Sequence, residues 1–424
     1  IFFRFNMILK LCDDELRCIS DFLQSALLSH VCLTTWQILQ RRHLLWSADS
    51  GNVAQMMAQL KDDAAVCTLS ISSRNMTDGA GQAFGALKDL PFLKVLNLDL
   101  QNTQFGDASA QALAALKDAP SLTSVYLDLR CTAIGDVGAE ALAALKDAPL
   151  LEELALNLRL TQIGSSSASA FAGLKCAPSL KSLSLHFPGG RIEDSGVHSL
   201  ATLKDASSLE SLILVIGGLQ IRDTSARALA ALKDARSLKS LRLYLVGPGI
   251  QDTGAEALAA LKQLPLLETL DLCVVSHQVG DIGACALATL KDAPSLTDFT
   301  LRLRGAQIGD SGALALGALK DAPSLKKLDV QGARIGDKGA QALAALKDSP
   351  SLTALSINLE GCRISDIGAE ALATLKESTL LASLHLNLRG TQVGDKGARA
   401  LASLKDAPSL TCFDLKLMVP QAHC

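Results

Sequence analysis

The chain has 424 residues, 49% of them apolar, with 40 Lys and Arg against 43 Asp and Glu for a formal net charge of −3. That balance gives no field to draw a polyanion to the molecule, which argues against nucleic acid, and every apolar run is soon broken by Lys, Asp or Pro, which argues against a membrane span. Eleven cysteines without a CxxC pair exclude zinc-ribbon spacing and read as small buried hydrophobes in a reducing compartment, the cytoplasm or the nucleus.

The chain opens on Ile1, so Met7 is its start or the sequence is a fragment. The run IFFRFNMILKL at residues 1–11 is interrupted by Arg4 and Lys10 and lacks the small-residue cleavage site of a secretory signal. Residues 8–48 form a separate small helical unit that holds both tryptophans, Trp36 and Trp46. Leu16, Ile19, Phe22 and Leu23 lie at i, i+3, i+6 and i+7, an apolar helical stripe continued by Leu27, Leu28, Val31 and Trp36. Such a unit suits a cap that shields the first copy of a repeat stack. It also resembles an F-box, with Leu11, acidic Asp14, Leu16, Ile19, Phe22 and Leu23 at that motif's spacing, although Cys12 stands for the usual Pro and Glu15 for the usual Leu. The resemblance implies a Skp-type adaptor docked through Leu11, Leu16, Ile19, Phe22, Leu23, Leu27, Val31 and Trp36.

From residue 51 to 418 the pattern Gly-Asp-x-Gly-Ala, followed by Ala-Leu-Ala-x-Leu-Lys-Asp-Ala-Pro-Ser-Leu, returns about a dozen times. Its marker aspartates run from Asp78 to Asp395 at 29-residue steps, with Ser165 in one vacant slot and a single 27-residue step from Asp310 to Asp337. So short a segment cannot close a core alone, and its copies must stack as a solenoid. In one copy Leu122, Val125, Leu127 and Leu129 alternate with Tyr126, Asp128 and Arg130, the pattern of a strand with one buried face. Residues 132–135 turn the chain, Asp136 is placed to cap the helix it begins, Val137 to Lys146 forms that helix, and Pro149 blocks its continuation. Residues 51–61 read as a repeat helix without its strand. Most copies carry two extra residues after the strand, adding a leucine such as Leu100, Leu129 or Leu303 that lengthens or bulges it.

The Leu-x-x-Leu-x-Leu spacing, as in Leu93/Leu96/Leu98 and Leu381/Leu384/Leu386, resembles the leucine-rich repeat signature. With the Ile-Gly-Asp-x-Gly-Ala helix start it is similar to the ribonuclease-inhibitor class, and especially to the GALA-type repeats of bacterial F-box effectors. The resemblance implies an α/β solenoid of about 12 repeats of 27–29 residues, curved, with parallel strands on the concave face and helices on the convex face. Joined to an F-box-like segment, it implies the substrate receptor of a cullin-type ubiquitin ligase. The alternatives are a non-catalytic scaffold or a regulator of a small GTPase, with the N-terminus acting only as a cap.

Because the copies align on one another, positions that vary while their neighbours repeat are free of scaffold duty. The outward strand positions vary, and they place a protein-binding site on the concave face at Tyr126, Asp128, Arg130, Arg159, His186, Arg242, Tyr244, Arg302, Arg304, Glu360, His385 and Arg389. Tyr and Arg are enriched in interfaces because they bury area and keep a polar handle. No Walker loop, HExxH, GxSxG or dinucleotide fingerprint occurs. The expectation is a binding protein without catalysis, cofactor or metal.

Overall fold

The computed structural model describes residues 43–61, 66–189, 191–323, 325–331 and 334–417. The adaptor-docking residues expected from the F-box resemblance, from Leu11 to Trp36, lie outside the described residues. Internal contacts divide the chain into two compact units, one ending at Gly190 and the other beginning at Arg191.

The first unit contains strands β1 (His43–Ser47), β2 (Thr68–Ser72), β3 (Val95–Asp99), β4 (Ser124–Asp128), β5 (Glu153–Asn157) and β6 (Ser182–Pro188). Each pairs in parallel with the next. Parallel neighbours need a crossover, and here a short helix supplies it each time. In-register rows such as Leu96, Val125, Leu154 and Leu183 stack inward and are no more than 1% exposed. The second unit contains β7 (Ser211–Gly217), β8 (Ser240–Val246), β9 (Thr269–Val275), β10 (Asp298–Arg304), β11 (Lys327–Gln331), β12 (Ala354–Asn358), β13 (Ser383–Asn387) and β14 (Cys412–Lys416). Strands β7 to β10 pair in parallel in chain order, and so do β11 to β14. Each unit is thus an α/β repeat solenoid, with strands on one face and helices on the other.

Four details differ from the sequence expectations. Strand β1 pairs with β2, so the helix Val53–Lys61 does have a strand before it. The expected helix Val137 to Lys146 is α-helical only over Asp136–Leu142 and tightens into a 3-10 segment, Ala143–Asp147. There the Ala148 N–H reaches Leu145 O at 3.1 Å, which satisfies a carbonyl that a helix end leaves open. The two extra residues have two outcomes. They extend β7 to β10 to seven residues, whereas after the five-residue β3, β4 and β5 they form a turn with Asn102, Cys131 and Leu160 at positive φ. The cysteines are not uniformly buried: Cys67, Cys273 and Cys362 are, but Cys131, Cys176, Cys285 and Cys412 are exposed thiols.

The marker aspartate itself acts one repeat further on than expected. The helix Asp136–Leu142 starts from Gly135 with no side-chain cap of its own repeat; instead Asp107 Oδ1 accepts from Gly135 N at 2.7 Å and Gly138 N at 3.0 Å. Asp252, Asp281, Asp310 and Asp366 each reach two backbone N–H groups of the following helix in the same way. The second glycine of the marker follows from this approach: a Cβ at Gly138 would lie 2.5 Å from Asp107 Oδ1.

Candidate functional site

On the outer side of the strands, side chains stand where neither core nor ladder needs them. In the first unit the structure brings Tyr126 and Asp128 of β4 together with His186 of β6 around an open hollow of about 300 Å³. In-register neighbours explain the hollow. Across β3 to β6 one row reads Asn97, Tyr126, Ala155, Ser184 and the next reads Asp99, Asp128, Asn157, His186. The small Ala155 and Ser184 leave room between taller side chains. The Tyr126 hydroxyl donates to Glu153, and its pKa is pushed up to about 12 by burial and by that carboxylate. Arg130, in the turn after β4, folds back on Asp128 at 2.7 Å. The His186 Nε2 lies 3.0 Å from Ser184 Oγ. Burial pushes its imidazole pKa down, and Arg130 does the same against the opposing field of Asp128. Arg159, in the turn after β5, is exposed.

In the second unit Tyr244 of β8 and Arg302 of β10 are joined in one network. The Tyr244 hydroxyl donates to Asp271 Oδ2 at 2.5 Å, and Arg302 donates to Asp271 at 2.7 Å, to Asp329 at 3.1 Å and to the Tyr244 oxygen at 3.0 Å. Cys273, in register with both Tyr244 and Arg302, is buried beneath this bridge. Arg302 is therefore held by its own strands and is not a free anchor, while Arg242 and Arg304 on the same strands are exposed. Glu360 accepts from Asn387 Nδ2 at 2.9 Å, His385 Nδ1 lies 3.7 Å from Asp414, and Arg389 is exposed.

The candidate set omits Asp271 and Asp329, which hold Arg302, and Ala155 and Ser184, which open the hollow. A signal existed for the first pair. Tyr126 with Glu153, Tyr244 with Asp271, and Arg302 with Asp329 are each 27 residues apart, two short of the usual period, which is the diagonal neighbour across adjacent strands. Among the described residues no group of three or more His, Cys, Asp and Glu could hold a metal ion, and no helix is long and apolar enough to cross a membrane.

A family model described as Leucine Rich repeat matches residues 125–143, 299–317, 322–344, 349–373 and 384–402, each running from a strand into the following helix of one copy. The matched copies are similar to leucine-rich repeats. A crystal structure of an internalin from Listeria monocytogenes is similar in fold to this chain, with a TM-score of 0.51 and 22% identity over 86% of this chain and 94% of that one. No curated protein matches the chain. Leucine-rich repeat solenoids generally serve protein interaction through the broad surface that stacking creates.

Proposed function

We propose that the chain binds a protein partner on its strand face. The observation that carries this reading is the contrast between its two sides. The helix side keeps its Lys in all twelve copies and Lys-Asp-Ala-Pro whole in five of them, whereas the strand face holds both tyrosines of the chain and the exposed Arg242 and Arg304 at outward positions. A photo-crosslinking amino acid at Tyr126 or Arg242 should capture a partner in native cells, and the same group at Lys233 or Lys291 on the helix side should not. Capture only from the helix side would overturn the reading.

The finer assignment, a ubiquitin-ligase substrate receptor with repeats of the ribonuclease-inhibitor class, is supported by the F-box spacing of residues 11–36 combined with the GALA-like marker. In that reading the strand face takes the substrate and the N-terminal segment docks a Skp-type adaptor. Co-purification of the adaptor and a cullin with the intact chain, and their loss on Phe22→Asp, is the expected result. An intact chain that never retains the adaptor leaves the N-terminal segment as a cap.

A further inference from the structure

The hollow of the first unit combines an apolar floor with an unbalanced charge. Its floor is the Ala155 methyl group set in the strand backbone at Leu98, Leu127 and Leu156, whose side chains are buried on the other face, and two carboxylates, Asp99 and Asp128, stand in register at its rim. Arg130 is committed to Asp128 through contacts of 2.7 to 3.0 Å and reaches Asp99 only through its longer-range field. Asp99 accepts from Gln101, at 3.4 Å from its backbone N–H and 3.2 Å from Nε2, and among the described residues no Lys or Arg makes a salt bridge with it. The Tyr126 hydroxyl at the hollow is given to a further carboxylate, Glu153. His186, the remaining titratable group facing the hollow, does not restore the balance, because burial favours its neutral form.

We propose that this hollow receives a lysine or arginine side chain of the protein segment that binds the strand face, with the alkyl stem over Ala155 and the cation at Asp99. The proposal rests on the reading of the strand face as a binding surface and names the chemistry of its partner. Long basic side chains match such a place because they carry an apolar stem and a charged end. An acidic side chain would meet Asp99 at like charge, and a purely apolar one would strip water from that carboxylate without replacing its hydrogen bonds. The opening suits one side chain entering end-on. Neighbouring backbone positions of the segment would lie along the rest of the strand face.

The test uses a random peptide library displayed on phage and panned against the full chain. Enriched peptides should share a Lys or Arg. Synthetic copies should lose at least about tenfold in affinity, roughly 1.4 kcal/mol, on Asp99→Asn, and a similar amount when their basic residue becomes norleucine. The two losses should not add when combined, since each removes the same contact. Ala155→Phe, which fills the hollow, should abolish binding, and Lys233→Glu on the helix side of the other unit should leave it unchanged. Asp99→Asn keeps the shape of the side chain, so the test stands even where Ala155→Phe unfolds the chain. Peptides whose binding falls with Arg304→Glu or Arg242→Glu but ignores both hollow substitutions would overturn the hollow and keep the strand face as a binding surface. Failure to enrich any peptide on the strand face would count against both.

Discussion

Asp107 Oδ1 accepts the backbone N–H of Gly135 at 2.7 Å, so one repeat caps the helix of the next. A side chain near a helix start ordinarily closes the free amides of its own first turn. Here those amides are closed by the preceding copy, and the stack is tied through polar contacts as well as through its leucines. The bond makes neighbouring copies depend on each other, which is the physical content of nearest-neighbour coupling in a solenoid.

Removing such a bridge should therefore cost more inside the stack than at its end. Asp252 reaches Gly280 N at 2.7 Å and Gly283 N at 2.9 Å, so Asp252→Ala should destabilise by about 1 to 2 kcal/mol. Asp395 is exposed and begins the last helix of the described residues, so Asp395→Ala should stay within about 0.5 kcal/mol. Urea unfolding of the two variants decides it. Equal losses would show that the carboxylates cap their own helices in solution.

Gly138 should not readily take a methyl group, although three copies place Ser109, Ser167 and Ser225 in its slot with the hydroxyl bonded to the preceding repeat. A Cβ at Gly138 would stand 2.5 Å from Asp107 Oδ1 and 3.0 Å from Ala110 Cβ, whereas one at Gly79 meets nothing within 4 Å. Gly138→Ala should cost at least about 1 to 3 kcal/mol through overpacking, and Gly79→Ala should be neutral or gain up to about 1 kcal/mol from helix propensity. Melting temperatures that fall alike for both would refute the close approach.

Leu243 is fully buried, and Leu243→Ala should cost about 2 to 5 kcal/mol by leaving a cavity. Its outward neighbour Tyr244 is less neutral to stability than outwardness suggests, because it and Arg302 share Asp271. Arg302→Ala leaves Asp271 and Asp329, with side chains only 14% and 24% exposed, without their cation, and should cost about 1 to 3 kcal/mol. Tyr244→Phe should cost less, about 1 kcal/mol. A double change of Tyr244 and Arg302 is thus a poor probe of partner binding, and denaturant midpoints unchanged by Arg302→Ala would contradict the network.

Acid should loosen the stack through the bridging carboxylates. At Asp78, Asp136 and Asp194 burial raises the pKa, but donors of the next repeat, including Ser109, Ser167 and Ser225, outweigh it and hold the folded value below the ordinary one. A depressed folded value means that the unfolded chain binds protons first as pH falls. The stabilisation is complete above the usual carboxylate range, near pH 4, and is lost as pH drops through the folded values. Urea midpoints should hold steady from about pH 7 to 5 and decline below about 4, with a shallower decline in Asp136→Asn. A midpoint that rises on acidification would invert this sign.

The repeating pattern determined a great deal without coordinates. A marker every 29 residues and leucines at alternate positions leave few ways to bury apolar area: a parallel strand layer on one side and helices on the other. Tyr126, Tyr244 and Arg302 were legible as outward for the same reason, since strand side chains alternate. Even the acidic partners were visible in principle, as residues 27 positions along.

What the sequence left to the tertiary structure is whatever depends on the offset between neighbouring copies. One copy read alone places Asp136 on its own helix; the stacked backbone places its carboxylate against Gly164 N, at 2.7 Å, of the next. The same two extra residues become longer strands at β7 to β10 and a left-handed turn after β3 to β5. A strand face that looks uniformly free divides into Arg302, consumed by its neighbours, and Asp99, which makes no salt bridge beside a hollow. Local patterning sets which face a side chain occupies, but only the distance to groups on adjacent repeats decides whether its charge is spent inside the fold or kept for a partner.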